Sequence, residues 1–338
     1  MFSFQSLLED DLRRSISVFA DREGLPEKPF AFALNVARLV GADSIDVGPG
    51  YTLRRANPRE IDFIKESLRG LFGQTFGISP WERRAPRRGT KLIDLPKSQW
   101  RYHVIEFAME EPNLEALETA GAIANVELDI GLIRIDIDIR GGVVRPGSMY
   151  HPPSLFQSLS VLNRSLNPSD VMQPVSSADG KDIFDLFSLI EAHDPSIFDL
   201  DRVVKLFREL KDLPQFSSLQ VLGYFAILEA ILTHQPDPED KYESITNQII
   251  RKLALLNNRW RPPLDYSPFK GAKPEKIWKS MYGYRSSIAH GRNPDFKTPQ
   301  LSVLQNATSA NELIKDSVKK SLRQAYTEPQ LIADLHNV

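Results

Sequence analysis

The sequence predicts an α+β protein in which a mixed α+β domain is followed by an all-α helical bundle. Isoleucines at every second position of 133–139 alternate with charged residues, the pattern of a strand with one solvated face. From residue 181 onward, apolar residues recur at helical spacing between prolines. Glycine, proline and serine are frequent between 141 and 180, which is typical of loops between domains. We therefore predict an α+β domain over 1–175 with a linker from about 141, a bundle over 181–326 and a C-terminal tail over 327–338.

The composition restricts the chemistry that the chain can perform. Its 338 residues carry a net charge of -2 and include no cysteine, which excludes disulfides, thiolate zinc sites and cysteine nucleophiles. A reducing cytoplasm suits such a chain. The first residues lack the basic start and the apolar run of a signal peptide, and no apolar run reaches the length of a membrane span. We expect no membrane partner.

Local signals predict several elements of the first domain. Strand-forming residues from 44 to 53 are interrupted by Gly48-Pro49-Gly50, which predicts a hairpin or a bulge. Asn57, Pro58 and Glu60 have the spacing of a helix cap, a first-turn proline and a capping-box glutamate. Further strands are predicted at 100–109 and 125–140.

Two charged features of this domain each have two interpretations. The loop from Trp81 to Lys91 could contact phosphate or RNA, or it could be a solvated surface loop. Its candidate RNA-binding residues are Arg83, Arg84, Arg87 and Arg88. Asp129, Asp136 and Asp138 could bind metal, but Arg134 and Arg140 flank the last two on one strand face, as a solvated strand requires. We favour the solvated strand and expect neither a metal nor a cofactor.

The second half of the chain predicts helices that prolines separate. Proline stops a helix because it lacks the backbone N–H donor and its ring clashes with the preceding turn. Antiparallel helices joined by short loops bury their apolar stripes against one another, which indicates a bundle. The predicted helices cover residues 182–193, 199–211, 216–234, 241–257, 274–290 and 299–326.

The segment from Tyr282 to Gly291 carries the residues best suited to chemistry. His290 precedes Gly291, a predicted C-cap, so its imidazole lies at the negative end of a helix dipole, where a charged imidazole is favoured. Arg285 lies five residues earlier, about 140° around an ideal helix, so the two side chains do not share one face. Ser286 is a supporting candidate rather than a nucleophile, because the sequence places no base beside it.

A carboxylate and a cluster of cations surround this segment in the sequence. Glu229 lies in the apolar stretch 219–232 and could orient Arg285 or take part in proton transfer; we favour orientation. Residues 251–297 contain eleven Lys or Arg and three acids. The candidate RNA-binding residues there are Arg251, Lys252, Arg259, Arg261, Lys279 and Arg292. Interleaved aromatics could stack on bases or fill the core, and for Trp278 we favour the core. They are Trp260, Tyr266, Phe269 and Trp278.

These residues resemble a known family. Arg285-Ser286-Ser287-Ile288-Ala289-His290 resembles the R-x4-6-H motif of HEPN domains, with the polar residue that often follows the arginine there. Leu228-Glu229-Ala230-Ile231, the basic segment 249–257 and the closing His290-Gly291 resemble the Apea-like branch. The resemblance covers about residues 181–326 and does not extend to the first domain.

The resemblance implies an HEPN-like helical bundle that acts as a metal-independent endoribonuclease or as an RNA-binding relative. It implies a homodimer in which Arg285 and His290 of both copies meet, with Glu229 and Ser286 in support. Such proteins serve as toxins or in anti-phage defence, so an antitoxin or a trigger protein is an expected partner, and the first domain is expected to sense or regulate.

Two other interpretations stay open at this point. The bundle could be a non-catalytic module that binds RNA, a nucleotide or a protein, and it would then show salt-dependent RNA binding without turnover. It could also be an unrelated bundle in which Arg285 only pairs with Glu229. In that case, substituting either residue would lower stability and not activity.

Overall fold

The computed structural model has an α+β fold with a helical C-terminal region, as the sequence predicts. The chain divides into two compact units, Met1–Ser188 and Leu189–Val338. None of the helices in the described part of the chain combines the length and hydropathy that a membrane crossing requires. The residues that the structure describes are 29–72, 80–84, 93–108, 112–134, 138–140, 143–145, 149–150, 172–211, 213, 217–234 and 244–337.

The first unit is built around a six-stranded sheet. The described strands are β1 Phe30–Ala33, β2 Val36–Val40, β3 Ser44–Gly48, β4 Tyr51–Arg55, β5 Arg83–Arg84, β6 Ile93–Asp94, β7 His103–Phe107, β8 Ile130–Arg134, β9 Asp138–Arg140, β10 Val143–Arg145, β11 Met149–Tyr150 and β12 Gln173–Ser176. The strands of the sheet have the order β11-β8-β1-β7-β4-β3, and every neighbouring pair is antiparallel. The remaining described strands pair as β2 with β12, β5 with β6, and β9 with β10.

The hairpin predicted at Gly48-Pro49-Gly50 is confirmed. Strands β3 and β4 pair antiparallel, with Ser44 opposite Arg54 and Gly48 opposite Tyr51. Gly50 has a φ of 78°, a left-handed conformation that glycine adopts without a steric penalty. The glycine thus allows the tight turn that the sequence pattern indicates.

The capping box at Asn57 is also confirmed, and it begins helix α1 (Pro58–Phe72). The Glu60 backbone N–H donates to Asn57 Oδ1 at 3.0 Å, and the Asn57 N–H donates to Glu60 Oε2 at 2.7 Å. Both bonds satisfy donors that the first helical turn cannot pair internally. The described residues of this unit also form α2 (Leu114–Ile123) and the start of α3 (Ser177–Glu191).

Trp81, the aromatic residue of the basic loop, belongs to the core of this unit. It is fully buried, and its indole Nε1 donates to the Leu34 carbonyl at 2.9 Å. The ring lies 4.9 Å from that of Phe32. An indole that fills the core has no face left for a nucleobase, so Trp81 does not support RNA stacking at this loop.

The boundary between the two units lies within helix α3, and not in the linker that the sequence predicts. The helix begins at Ser177, and Phe187 near its end packs 4.9 Å from the ring of Tyr51. Gly180 lies against Ile45 so closely that a Cβ atom would clash there. The first unit therefore continues to Ser188, whereas the sequence predicts its end at 175.

The second unit is a helical bundle organised around helix α5 (Ser218–Leu232). This helix is apolar around most of its circumference, so it is stable only when neighbours cover it. Helices α4, α6, α7, α8 and α9 all pack against it. Their bounds are α4 Asp201–Leu210, α6 Ile245–Arg259, α7 Pro274–Ala289, α8 Ala307–Thr327 and α9 Pro329–Asn337.

Two predicted segments near the C-terminus differ from the structure. The helix predicted over 299–326 begins only at Ala307, where Asn306 Oδ1 accepts from the Ser309 N–H at 2.9 Å and caps it. The segment predicted as a tail forms helix α9, whose Ile332 and Ala333 are buried in the bundle. A short amphipathic helix is hard to distinguish from a tail by periodicity, since it spans few turns.

Among the described residues, no group of three or more histidines, aspartates or glutamates could hold a metal ion. Asp136 and the side chain of Asp138 lie outside the described part of the chain. The aspartate cluster considered from the sequence is therefore represented in the structure by Asp129 alone.

Candidate functional site

Helix α7 carries the site and ends where the sequence predicts. Its core side is formed by Ile277, Trp278, Met281 and Tyr284, which recur at helical spacing and are buried. Tyr282, Arg285 and Ser286 are partly buried, and His290 is exposed at the C-terminal end of the helix. Arg285 follows Met281 by four residues, so it lies at the edge of the side that anchors the helix in the bundle.

Gly291 terminates α7 in a left-handed conformation, with a φ of 67°. The Gly291 N–H donates to the Ile288 carbonyl at 2.9 Å, and the Arg292 N–H donates to the Ser287 carbonyl at 2.9 Å. This pair of bonds is the Schellman arrangement, in which glycine follows the last helical residues. The C-cap predicted at Gly291 is confirmed, and it places His290 at the helix end.

Three side chains from α5 and α7 form what we call the Arg285 cluster: Glu229, Tyr282 and Arg285. The Tyr282 hydroxyl donates to Glu229 Oε1 at 2.7 Å. Arg285 Nη2 lies 3.5 Å from the same carboxylate oxygen. The guanidinium carbon of Arg285 lies 5.7 Å from the centre of the Tyr282 ring, within cation–π range. One carboxylate oxygen is thus shared by a phenol and a cation.

The Arg285 cluster lies at the edge between protein and solvent. The side chain of Arg285 is 35% exposed and that of Glu229 is 22% exposed. Burial raises the pKa of Tyr282 well above its ordinary value, and the hydrogen bond to Glu229 raises it further. The phenol therefore stays protonated and remains a donor to Glu229. Arg285 Nε is buried, and it has no hydrogen-bond partner among the described residues.

His290 has a different environment from Arg285. Its side chain is exposed, and its backbone N–H donates to the Ser286 carbonyl at 3.1 Å. Within the described ranges, its imidazole makes no hydrogen bond or ion pair, and neither does the Ser286 hydroxyl. Among the described residues, no hydrogen bond joins Arg285 and His290, in keeping with their separation of about 140° around an ideal helix.

The candidate RNA-binding cations of the second unit differ in their hydrogen-bond partners and in their exposure. Arg259 pairs with Glu328 through two contacts of 2.8 and 2.6 Å, and Lys279 pairs with Glu275 at 2.7 Å. The guanidinium of Arg261 donates to the backbone carbonyls of Asn258 and Trp260. Arg251 and Arg292 are exposed.

Lys252 is a wrong prediction. Its side chain is buried, and its Nζ donates to Gln248 Oε1 at 3.4 Å. It lies on the buried side of α6 with Ile249, Leu253 and Leu256, so it cannot reach a nucleic-acid strand. Counting charges along the sequence does not reveal which face of a helix a charge occupies.

The candidates of the basic loop in the first unit are only partly described. Arg83 Nε donates to Asp94 Oδ1 at 2.6 Å across the β5–β6 pair, and Arg84 is exposed. Arg87 and Arg88 lie outside the described residues. The described part of this loop therefore offers one exposed cation, Arg84, that is not held by Asp94.

The aromatics near the site belong to the core more than to a stacking surface. Trp260, Phe269 and Trp278 are all buried, and the indole of Trp278 donates to the Tyr266 hydroxyl at 3.1 Å. The core position predicted for Trp278 is confirmed. Trp278 also lines a groove of about 380 Å³ between α6 and the first turn of α7. This groove lies at the opposite end of α7 from His290.

Tyr282 is a site residue that the sequence pattern did not predict. A signal was present, because residues three apart on a helix are neighbours and Tyr282 precedes Arg285 by three. The contact with Glu229 could not be read in the same way, since it joins residues 53 positions apart in the chain. Only the packing of α5 against α7 brings the carboxylate to the phenol.

Comparison with known proteins adds no relative. No protein-family model, curated protein or solved structure matches the chain. The resemblance to HEPN domains therefore stands on the motif residues themselves and on their placement in a helical bundle.

Proposed function

We propose that the protein is a metal-independent endoribonuclease of the HEPN type, with a site that two copies of the chain complete. Arg285 of each copy binds the scissile phosphate, and His290 of each copy transfers protons. Glu229 orients Arg285, and Ser286 supports the site from the neighbouring position on α7. The partners are RNA and a second copy of the chain.

The observation that carries this proposal is the incomplete pairing of the Arg285 guanidinium. Its guanidinium pairs with Glu229 at 3.5 Å and is partly exposed, and its Nε has no hydrogen-bond partner in the part of the chain that the structure describes. A guanidinium has five N–H donors in a fixed fork that suits phosphate oxygens. Arg285 therefore keeps donors for an anion while Glu229 and Tyr282 hold its position. His290, exposed at the end of the same helix, is available for proton transfer.

The proposed reaction uses the 2′-hydroxyl of the RNA as the nucleophile. One His290 accepts the proton of that hydroxyl, and the oxygen attacks the adjacent phosphorus. The bond from phosphorus to the 5′-oxygen breaks, and the second His290, already protonated, donates a proton to the departing oxygen. The products are a 2′,3′-cyclic phosphate and a 5′-hydroxyl. The two Arg285 side chains stabilise the charge that develops on the phosphorane.

A dimer would supply the second imidazole and the second guanidinium that a single chain lacks. One exposed imidazole cannot easily act as base and acid in the same step, and one chain keeps Arg285 and His290 apart. Two-fold symmetry supplies a second copy of each group. In cells we place this activity in the cytoplasm, in toxin or anti-phage defence, with the first unit sensing a trigger or binding an antitoxin.

The direct experiment incubates the purified protein with end-labelled RNA in excess chelator. We expect cleavage with 2′,3′-cyclic phosphate ends, and a loss of about a hundred- to ten-thousand-fold in His290→Ala. A DNA strand of the same sequence should stay intact, because it lacks the 2′-hydroxyl. Lys297→Ala, an exposed cation beyond the end of α7, is the control and should retain activity.

Several results would contradict the proposal. Absence of cleavage, or equal cleavage by His290→Ala, would contradict the proposed ribonuclease activity. Salt-dependent RNA binding without turnover would instead favour a non-catalytic binding module. A monomer by light scattering at micromolar concentration would argue against a site shared by two copies.

A further inference from the structure

We propose that Tyr282 is a positioning residue of this site, which holds the Arg285 guanidinium in place through Glu229. The inference rests on the proposed function and deepens it, since it assigns a role to a residue that the motif does not include. Tyr282 itself need not touch the RNA.

The phenol of Tyr282 is held against α5 by two contacts. Its hydroxyl donates to Glu229 of that helix at 2.7 Å. Its ring packs edge-on against Phe225 of α5, with the ring centres 5.4 Å apart. The packing of α5 against α7 thus determines where this ring and its hydroxyl lie, so Tyr282 is a rigid support.

Tyr282 controls Arg285 in two ways. The shorter contact to Glu229 Oε1 belongs to the phenol at 2.7 Å, and Arg285 Nη2 reaches the same oxygen only at 3.5 Å. The tyrosine therefore sets the position of the carboxylate, and the carboxylate sets the position of the guanidinium. The ring face also supports the cation directly.

The incomplete pairing of Arg285 distinguishes this role from ordinary bundle stability. A purely structural arginine is stabilised when carboxylates and carbonyls satisfy its donors. Here the carboxylate that pairs with Arg285, that of Glu229, is engaged by Tyr282. Arg285 Nε is left buried without a hydrogen bond among the described residues. Tyr282 thus holds the cation while limiting how strongly Glu229 neutralises it.

The kinetic experiment compares Tyr282→Phe with the wild-type protein. The substitution keeps the ring beside Phe225 and Arg285 and removes only the hydroxyl. We expect kcat for RNA cleavage to fall about tenfold, because small misplacements of a positioned group are costly, with KM changed less than about twofold. The pH profile should keep its shape, because His290 is unaltered.

Tyr266→Phe is the matched control. It also removes a tyrosine hydroxyl that is hydrogen-bonded within the bundle, to Trp278, away from the Arg285 cluster. Its kcat should equal that of the wild type. An equal fall of kcat in both variants would mean a general structural effect and would overturn the proposal, as would an unchanged kcat in Tyr282→Phe.

A second measurement separates this proposal from the proposed function. In ¹⁵N-labelled protein, the Arg285 Nε–H signal can be assigned by its loss in Arg285→Lys. Because this atom is buried, we expect slow exchange with water in the wild type and faster exchange in Tyr282→Phe. If the wild type does not cleave RNA, the proposed function fails, and this exchange rate alone decides the role of Tyr282. Equal exchange in the two proteins would overturn the proposal in either case.

Discussion

The two units each contain an arginine held by glutamate, and the two arginines are held in opposite ways. In the first unit, Arg54 donates to both oxygens of Glu60 at 2.9 and 2.6 Å and through Nε to Glu106 at 2.8 Å. It also donates to the Arg55 carbonyl at 3.1 Å. In the second unit, Arg285 has a single contact of 3.5 Å with Glu229, and its Nε is unpaired among the described residues.

The contrast shows how a structural guanidinium differs from one that is available to a ligand. All three side-chain nitrogens of Arg54 donate hydrogen bonds. The hydrogen bond to Glu60 raises the pKa of Arg54 above its ordinary value. The same Glu60 caps helix α1, so Arg54 joins the sheet to that helix. Arg285 is oriented by Glu229 but keeps an Nε–H without a hydrogen-bond partner among the described residues, and the proposed phosphate binding rests on this difference.

Arg54→Met should cause the largest change in stability. It would leave the buried carboxylate of Glu60 without its cation, which costs about 3 kcal/mol in the free energy of unfolding. Denaturation followed by tryptophan fluorescence measures the loss, and hydrogen exchange should locate it in β4 and α1. A loss below about 1 kcal/mol would contradict the structural role. RNA cleavage by the folded variant should be unchanged.

Arg285→Ala should show the reverse behaviour. We expect cleavage to fall about a hundredfold, because a donor to the phosphorane is lost. The free energy of unfolding should change by less than about 1 kcal/mol, since the pair with Glu229 is partly exposed. Single-turnover cleavage and denaturation of the same preparation measure both quantities. Lower stability with unchanged cleavage would instead favour a bundle in which Arg285 only pairs with Glu229.

The two units also contain contrasting histidines, since His290 is exposed and His103 is buried on β7. Burial, together with the charge of Arg55, lowers the pKa of His103 from 6.5 to about 4. As the pH falls below 6.5, the unfolded chain takes up this proton before the folded chain does. The stability contribution is therefore complete above pH 6.5 and is lost as the pH falls towards 4.

Between pH 7.5 and pH 5, His103 should account for a loss of about 2 kcal/mol in the free energy of unfolding. Denaturation of the wild type and of His103→Gln at both pH values measures it. The variant should show a smaller pH dependence by that amount. Identical pH dependence in the two proteins would show that His103 is not kept neutral by the fold.

Removing either of two asparagine caps should cause the smallest loss in the free energy of unfolding, and the two caps can be compared with each other. Asn57→Ala and Asn306→Ala should each cost about 1 kcal/mol, because each removes a side-chain acceptor at a helix start. The effect of Asn57→Ala should not add to that of Arg54→Met, since Glu60 contacts both residues. Asn306→Ala should add to Arg54→Met. Additive effects in both pairs would contradict a shared network in the first unit.

Local signals in the sequence predicted the parts of the fold that depend on neighbouring residues. Gly50 at the hairpin, Asn57 and Glu60 at the start of α1, and Gly291 at the end of α7 all act within a few positions of themselves. Their conformations follow from steric freedom and from backbone donors that need partners. Such requirements can be read from a short stretch of chain.

The parts that could not be predicted depend on packing between distant segments. The sequence shows Glu60 as a cap but not that Arg54 pairs with Glu106, because those two residues lie 52 positions apart on strands that must first pair. It shows Lys252 as a positive charge but not that the bundle buries it. It suggests Glu229 as a partner of Arg285, while the phenol of Tyr282 between them is visible only when α5 and α7 are in place.

The central claim, that two copies of the chain share one site, is tested most directly by mixing subunits. Wild type and His290→Ala are refolded together in equal amounts, and RNA cleavage is compared with wild type alone at the same total concentration. A shared site requires His290 from both copies, so only dimers of two wild-type chains cleave, and about a quarter of the activity should remain. Retention of about half the activity would mean that each chain acts alone, and it would contradict the account.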